Sequence, residues 1–274
     1  MSVAGPRAAP ADRAAGQPGN PAAQTVRTGC AVRLSDVSKV YGRGAQAVLA
    51  LDRISLSAAP GEFVCLLGAS GCGKSTLLAL VTGLDQVSAG TVEVPGRSTL
   101  MFQEPALFPW LTAARNVQLG SRASAVSAKR RRERADELLA AVHLAGLGGK
   151  RPHELSGGMR QRVALARALA QDVEVLAMDE PFGALDAMTR DLLHDELERI
   201  WLERGPTVLF VTHNVREAVR LGDKVVLLSS RPGTVIEEYP VDIPRPRLID
   251  SPQVSGLAAK ITERLRGEVL RHGG

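Results

Sequence analysis

Apolar positions along this chain come in short bursts that switch between a period of two and a period near 3.6. Cys30–Val40 and Val48–Leu56 read as strands, with Gly42–Gly44 as the turn between them. Glu62–Leu67 is a short apolar run that ends on a glycine-rich turn, and Ser75–Thr82 behind it reads as a helix. Thr99–Phe102 predicts a further strand. From Ala113 to about Arg167 the pattern is mainly helical, and Arg130–Val142 sets its charges on one side and Leu138, Leu139 and Val142 on another. Strand signals return at Val173–Met178, Thr207–Thr212 and Lys224–Leu228, with helical stretches Ala187–Glu203 and Val215–Leu221 between them. Strands alternating with helices predict an α/β fold with a mostly parallel sheet covered on both faces. The helical insertion after Gln103 would form a second lobe.

Both ends differ from this middle. Residues 1–29 are rich in Ala, Pro, Gly and Arg without an apolar period, which predicts a disordered tail. Over 251–274, Ser251-Pro252 reads as an N-cap and first helical residue, and Val254, Leu257, Ile261 and Leu265 follow at spacings of three and four. That C-terminal amphipathic helix would cap the core, regulate or dimerise.

Composition narrows the classes. Of 274 residues 45% are hydrophobic and 23% charged, an ordinary globular balance. Aromatics at 3% are too scarce to build stacking platforms for single-stranded nucleic acid. The net charge of +5 suits anionic ligands or surfaces without identifying either. Charges interrupt every apolar run before the ~18 residues a membrane span needs. Cys30, Cys65 and Cys72 form no spaced framework, as expected of a soluble protein in a reducing compartment.

The first chemical signal is Gly68-Ala69-Ser70-Gly71-Cys72-Gly73-Lys74-Ser75, followed by Thr76, at the junction of an apolar strand and a helix. Glycines there allow successive backbone N–H groups to face phosphate oxygens, and the helix adds the positive end of its dipole. Lys74 would reach the β- and γ-phosphates and the Ser75 hydroxyl would ligate Mg²⁺. Cys72 reads as a small space-filling residue. The strand Val173–Met178 delivers Asp179-Glu180 to its C-terminal edge, where Asp179 would hold the metal and Glu180 would polarise water. These residues predict an NTP-binding core.

Further motifs carry a family resemblance. Leu155-Ser156-Gly157-Gly158-Met159-Arg160-Gln161-Arg162 resembles the signature of ATP-binding cassette (ABC) ATPases, with Met159 where Gln is usual. Met101-Phe102-Gln103-Glu104-Pro105 resembles the Q-loop, and Gly183-Ala184-Leu185-Asp186 the D-loop. Tyr41 falls where the family stacks an aromatic on adenine, and His213 where it has the switch histidine. The resemblance implies a P-loop NTPase (RecA-like) core with an antiparallel β subdomain and an inserted helical subdomain. It places the ABC ATPase domain over 30–250 and the helical subdomain over about 104–169. Lys74 to Gln103 is short for the family, so part of the antiparallel region after Gly90 is expected to be trimmed.

The same resemblance implies ATP and Mg²⁺ at Lys74, Ser75, Asp179 and Gln103. It implies a water-activating Glu180 and a γ-phosphate contact from His213. Ser156, Gly157 and Gly158 would act on the ATP of a partner copy, so the chain must pair. The segment Phe102–Trp110, together with Leu228–Gly233 and Val241–Arg247, is similar to importers of nitrate, sulfonate, taurine and bicarbonate. This implies two permease subunits, indirectly a solute-binding protein, no nucleic-acid partner, and a peripheral place on the cytoplasmic face of the cell membrane. Leu107, Phe108 and Trp110 would line a groove for the permease or belong to the core of the helical lobe. The alternative is a non-transport ABC ATPase acting on nucleic acid or ribosomes, supported by the basic run Lys129–Arg134.

Overall fold

The computed structural model describes residue 1, residues 30–121 and residues 126–272. The expected disordered tail lies outside the described residues, apart from Met1. The chain opens with β1 (Val32–Tyr41) and β2 (Val48–Ala58), continues through β3 (Phe63–Leu67) and α1 (Lys74–Val81), and adds β4 (Ala89–Glu93) and β5 (Ser98–Met101). Three helices follow: α2 (Ala113–Gly120), α3 (Ala128–Ala141) and α4 (Gly157–Leu169). Then come β6 (Val175–Asp179), α5 (Ala187–Arg204), β7 (Thr207–Val211), α6 (Val215–Leu221), β8 (Lys224–Leu228), β9 (Val235–Pro240) and α7 (Pro252–His272).

Two sheets organise these elements. One is antiparallel in the order β2-β1-β4; the other has six strands in the order β5-β6-β7-β3-β8-β9. In the larger sheet every neighbouring pair is parallel except β8 with β9. β9 and β4 were not legible as strands. β4 is a largely exposed edge strand, and β9 carries two acids in mid-strand. The short stretch between Lys74 and Gln103 thus keeps one strand of the antiparallel sheet before returning to the parallel one.

Alternation in the central strands divides the interior into two clusters. Phe63, Cys65 and Leu67 of β3 face the cluster that also holds α4, α5 and α7, whereas Val64 and Leu66 face the cluster shared with α1 and the antiparallel sheet. β6, β7 and β8 alternate in the same way, and Ala177 is the small residue that β6 turns toward the α1 side. Buried on both faces, these strands read as near-continuous apolar runs. The terminal helix begins where its sequence predicts, with Ser251 Oγ accepting from Val254 N at 3.4 Å. Val254, Ala258 and Ile261 are buried in the first cluster, so α7 covers the core.

Candidate active site

The glycine-rich turn owes its shape to two residues with positive φ, Gly71 at 75° and Gly73 at 99°. A Cβ on Gly73 would stand 2.5 Å from Leu51 Cδ2, so only glycine lets this loop lie against β2. Cys72 is buried, and its Sγ occupies the space that a Cβ on Gly68 would enter. Lys74 is buried too; its Nζ donates to the carbonyls of Gly68 and Ala69, each at 2.9 Å. This holds the ammonium across the loop, beneath the N-terminus of α1.

β6 and β7 lie side by side in the sheet, which brings their C-terminal residues together. Burial raises the Asp179 pKa, the neighbouring Glu180 charge raises it further, and a hydrogen bond with Ser75 and the charge of Lys74 oppose the shift. Glu180 follows with φ of +45°, a strained backbone setting for a non-glycine residue, anchored by its N–H to the Val211 carbonyl at 3.0 Å. Its Oε2 lies 3.2 Å from Nδ1 of His213, which stands at the mouth of the site with its side chain 70% exposed.

A cleft of about 470 Å³ joins these groups. It is lined by Tyr41, the loop residues Ser70, Gly71, Gly73, Lys74, Ser75 and Thr76, and by Gln103, Asp179, Glu180 and His213. Tyr41 is positioned by Asp85, whose Oδ2 accepts from the phenolic hydroxyl at 2.8 Å while Oδ1 accepts from Lys39 Nζ at 2.5 Å. Gln103 is held from α4: Gln161 Nε2 donates to its carbonyl at 3.3 Å, and Arg167 donates to the carbonyls of Pro105 and Ala106 at 2.9 and 2.8 Å. Gly68, Ala69 and Cys72 shape the loop without lining the cleft.

Three lining residues escaped the sequence reading: Val48, Ala50 and Arg231. Arg231 Nε donates to the Gly71 carbonyl at 3.4 Å. The β8–β9 connection reaches the loop because Gly233 exchanges two backbone hydrogen bonds with β2, Gly233 N to Ala50 O and Asp52 N to Gly233 O, both at 2.9 Å. The signal was present in the Ser-Arg-Pro-Gly run, but its neighbour was not.

Ser156, Gly157 and Gly158 are placed elsewhere. Ser156 caps α4 by accepting from Met159 N at 3.2 Å, and a Cβ on Gly158 would meet Leu185 at 3.2 Å. Asp186 caps α5 in the same way, accepting from Thr189 N at 3.0 Å, and this bond lowers its pKa. Neither cap lines the cleft. In the helical lobe, a groove of about 490 Å³ is lined by Phe108, Trp110, Arg115, Arg131 and Arg132 among others. Phe108 and Trp110 are exposed with ring centroids 5.4 Å apart, whereas Leu107 packs against the core.

The sequence profile of the ABC transporter family matches residues 51–183. The aliphatic sulfonates import ATP-binding protein of Bacillus subtilis is 41% identical over 239 residues, 84% of this chain and 92% of that protein. The chain belongs to the ABC transporter family. The nitrate import ATP-binding protein of Synechocystis sp. is 43% identical over 221 residues, covering 78% of this chain and 83% of its own length. A dimeric ATP-binding cassette in a post-hydrolysis state, bound to ADP and Pi, superimposes with a TM-score of 0.71 at 33% identity, covering 77% of this chain and 99% of that one. This ABC cassette is thus an ATPase of P-loop architecture. No helix among its described residues is long and apolar enough to cross a membrane.

Proposed function

We propose that this cassette hydrolyses ATP to energise import of a small anion, an aliphatic sulfonate, taurine or nitrate. It works as a pair of copies beneath two permease subunits, on the cytoplasmic face of the membrane, with a solute-binding protein delivering the anion. The observation that carries the reading is the single cleft in which Lys74, Ser75, Gln103, Asp179, Glu180 and His213 converge. The nitrate and sulfonate importer relatives support the substrate class. The groove at Phe108 and Trp110, rimmed by three arginines, offers the permease an apolar and cationic seat.

The residues present fit Mg²⁺: the Ser75 hydroxyl and the Asp179 carboxylate are hydrogen-bonded hard oxygen ligands, and Gln103, which lines the same cleft, would add a third. When bound, Mg²⁺ neutralises charge on the phosphates.

The chain's own residues do the rest. Tyr41 stacks on the adenine. The N–H groups of the loop and the Lys74 ammonium receive the phosphates and stabilise the charge that develops on the γ-phosphoryl. Glu180 orients the attacking water and takes its proton, and His213 contacts the γ-phosphate. Ser156, Gly157 and Gly158 of the partner copy close the site from outside, and Asp186 joins the contact between the copies.

The test is a gentle-detergent pull-down of tagged Glu180→Gln with ATP. A co-purifying multi-span permease, with a solute-binding protein that binds taurine, other sulfonates or nitrate, is the expected result. Ribosomal or DNA-bound material without a membrane subunit would overturn the transport reading and leave the ATPase standing.

A further inference from the structure

Behind the cleft lies a buried polar chain that the reaction as described does not use. His194 of α5 has no exposed surface, yet its Nε2 lies 2.6 Å from Oε1 of Glu217 on α6, itself buried. The other oxygen, Oε2, accepts from the hydroxyl of buried Thr212. Thr212 Oγ1 in turn accepts from Asn214 N at 3.0 Å, and Asn214 Oδ1 accepts from Arg216 N and Glu217 N at 3.0 and 3.3 Å. These bonds bracket His213 on both sides. The Phe182 and His194 rings meet in a T-shaped contact, centroids 4.9 Å apart at 74°, and Phe182 stands two residues beyond Glu180.

Burying a histidine and a carboxylate is costly unless each meets a partner of matching geometry. An apolar pair would cover this part of the core as well. What the polar chain supplies is direction. Glu217 accepts two donors at once, which fixes Thr212 relative to α5, while the same His194 ring abuts the segment after Glu180.

We propose that His194, Glu217 and Thr212 form a positioning network that holds His213 in register with Glu180, so that the 3.2 Å contact between them persists through turnover. It rests on the reading of Glu180 and His213 as the hydrolytic pair. None of the three lines the cleft that holds the phosphate loop, so the network governs the chemical step and leaves nucleotide affinity alone. Displacing a reacting group by about 1 Å costs on the order of a hundredfold in rate.

The decisive comparison pairs a variant that removes the donor with one that restores it. His194→Met fills the space without donating to Glu217; His194→Gln places an amide N–H where Nε2 stood. Expected is a kcat about 10- to 100-fold lower in His194→Met, within about threefold of wild type in His194→Gln, and KM for ATP unchanged within about twofold in both. Thr212→Val and Thr212→Ser repeat the comparison at the other end and serve if His194→Met fails to fold. Equal losses in the members of a pair, unchanged kcat in both donor-less variants, or a change confined to KM would overturn the network. Glu180→Gln and His213→Ala, measured alongside, separate the two readings. If these keep near-normal turnover, the hydrolytic pair itself falls; if they lose it while the network variants do not, only the network falls.

Discussion

Asp85 shows how one side chain can serve both stability and the site. Hydrogen bonds from Lys39, Tyr41 and the Gln86 backbone, in that order, hold its carboxyl at a pKa of about 2. Its ordinary value is about 3.9. The folded pKa is the lower of the two, so the carboxylate's contribution is complete above pH ~4 and is lost as pH falls through about 2. The stability gap between wild type and Asp85→Asn, read from denaturant midpoints, is therefore expected to stay constant from neutral pH to about 5 and to shrink toward pH 2. Releasing the tyrosine should also raise KM for ATP several-fold at neutral pH; an unchanged KM would show that Tyr41 needs no tether. Much of the site was legible at this scale because its signals are local. The loop Gly68–Ser75 and the pair Asp179-Glu180 carry their chemistry in consecutive residues. Asp85 meets Tyr41 OH from 44 positions away and His194 meets Glu217 Oε1 from 23, and neither distant partner can be read from the flanking residues.

Among the elements, α4 ties the cleft to the helical lobe. Its first residue follows Ser156, its Gln161 holds the Gln103 carbonyl, and its Arg167 holds the two carbonyls that lead into the Phe108–Trp110 groove. Burial lowers the Arg167 pKa, and a guanidinium stays protonated in proteins, so the clamp carries its charge. Replacing Arg167 by Met keeps the stem and removes both donors, at a cost of about 2 kcal/mol in stability. In vesicles carrying the complete transporter, ATP hydrolysis should persist while substrate moved per ATP falls. Intact coupling would free Arg167 from this task. The helical content of this lobe was plain from periodicity, whereas the start of α4 at Gly157 is set by Ser156, an N-cap that stands inside the signature motif. What periodicity could not convey is which loop each buried polar residue on the helix would grasp. β4 and β9 were missed for the opposite reason: each takes its strand form from one neighbour, β1 or β8, and not from its own apolar pattern.

For the whole molecule, Ser156 lies outside the cleft, and on the proposed function two copies complement one another. Lys74→Ala disables a chain's own phosphate loop and leaves its signature intact, whereas Ser156→Arg does the reverse. A mixture in equal parts should recover about a quarter of wild-type turnover by random pairing, if the two sites act independently. Each variant alone should be nearly inactive. Failure of the mixture to regain any activity would mean that every site is completed within one chain. The fold class and the order of the core strands' elements were foreseeable here, since alternating strands and helices admit few arrangements. The return of the β8–β9 connection to the phosphate loop was not, because it follows from Gly233 pairing with β2 across more than half the chain.

The strand order has a consequence for synthesis. β3, which carries the phosphate loop, pairs with β7 and β8, and Phe63 finds its partner only at Val208, some 145 positions later. At a ribosomal pace of about 5–20 residues per second, the central strand waits roughly 7–30 s for its neighbours. Through that interval its apolar faces and both its edges are open, a window in which chaperones and aggregation compete. A fragment spanning residues 30–200 contains every residue of the loop yet should bind no ATP, and adding the remainder of the chain should restore binding.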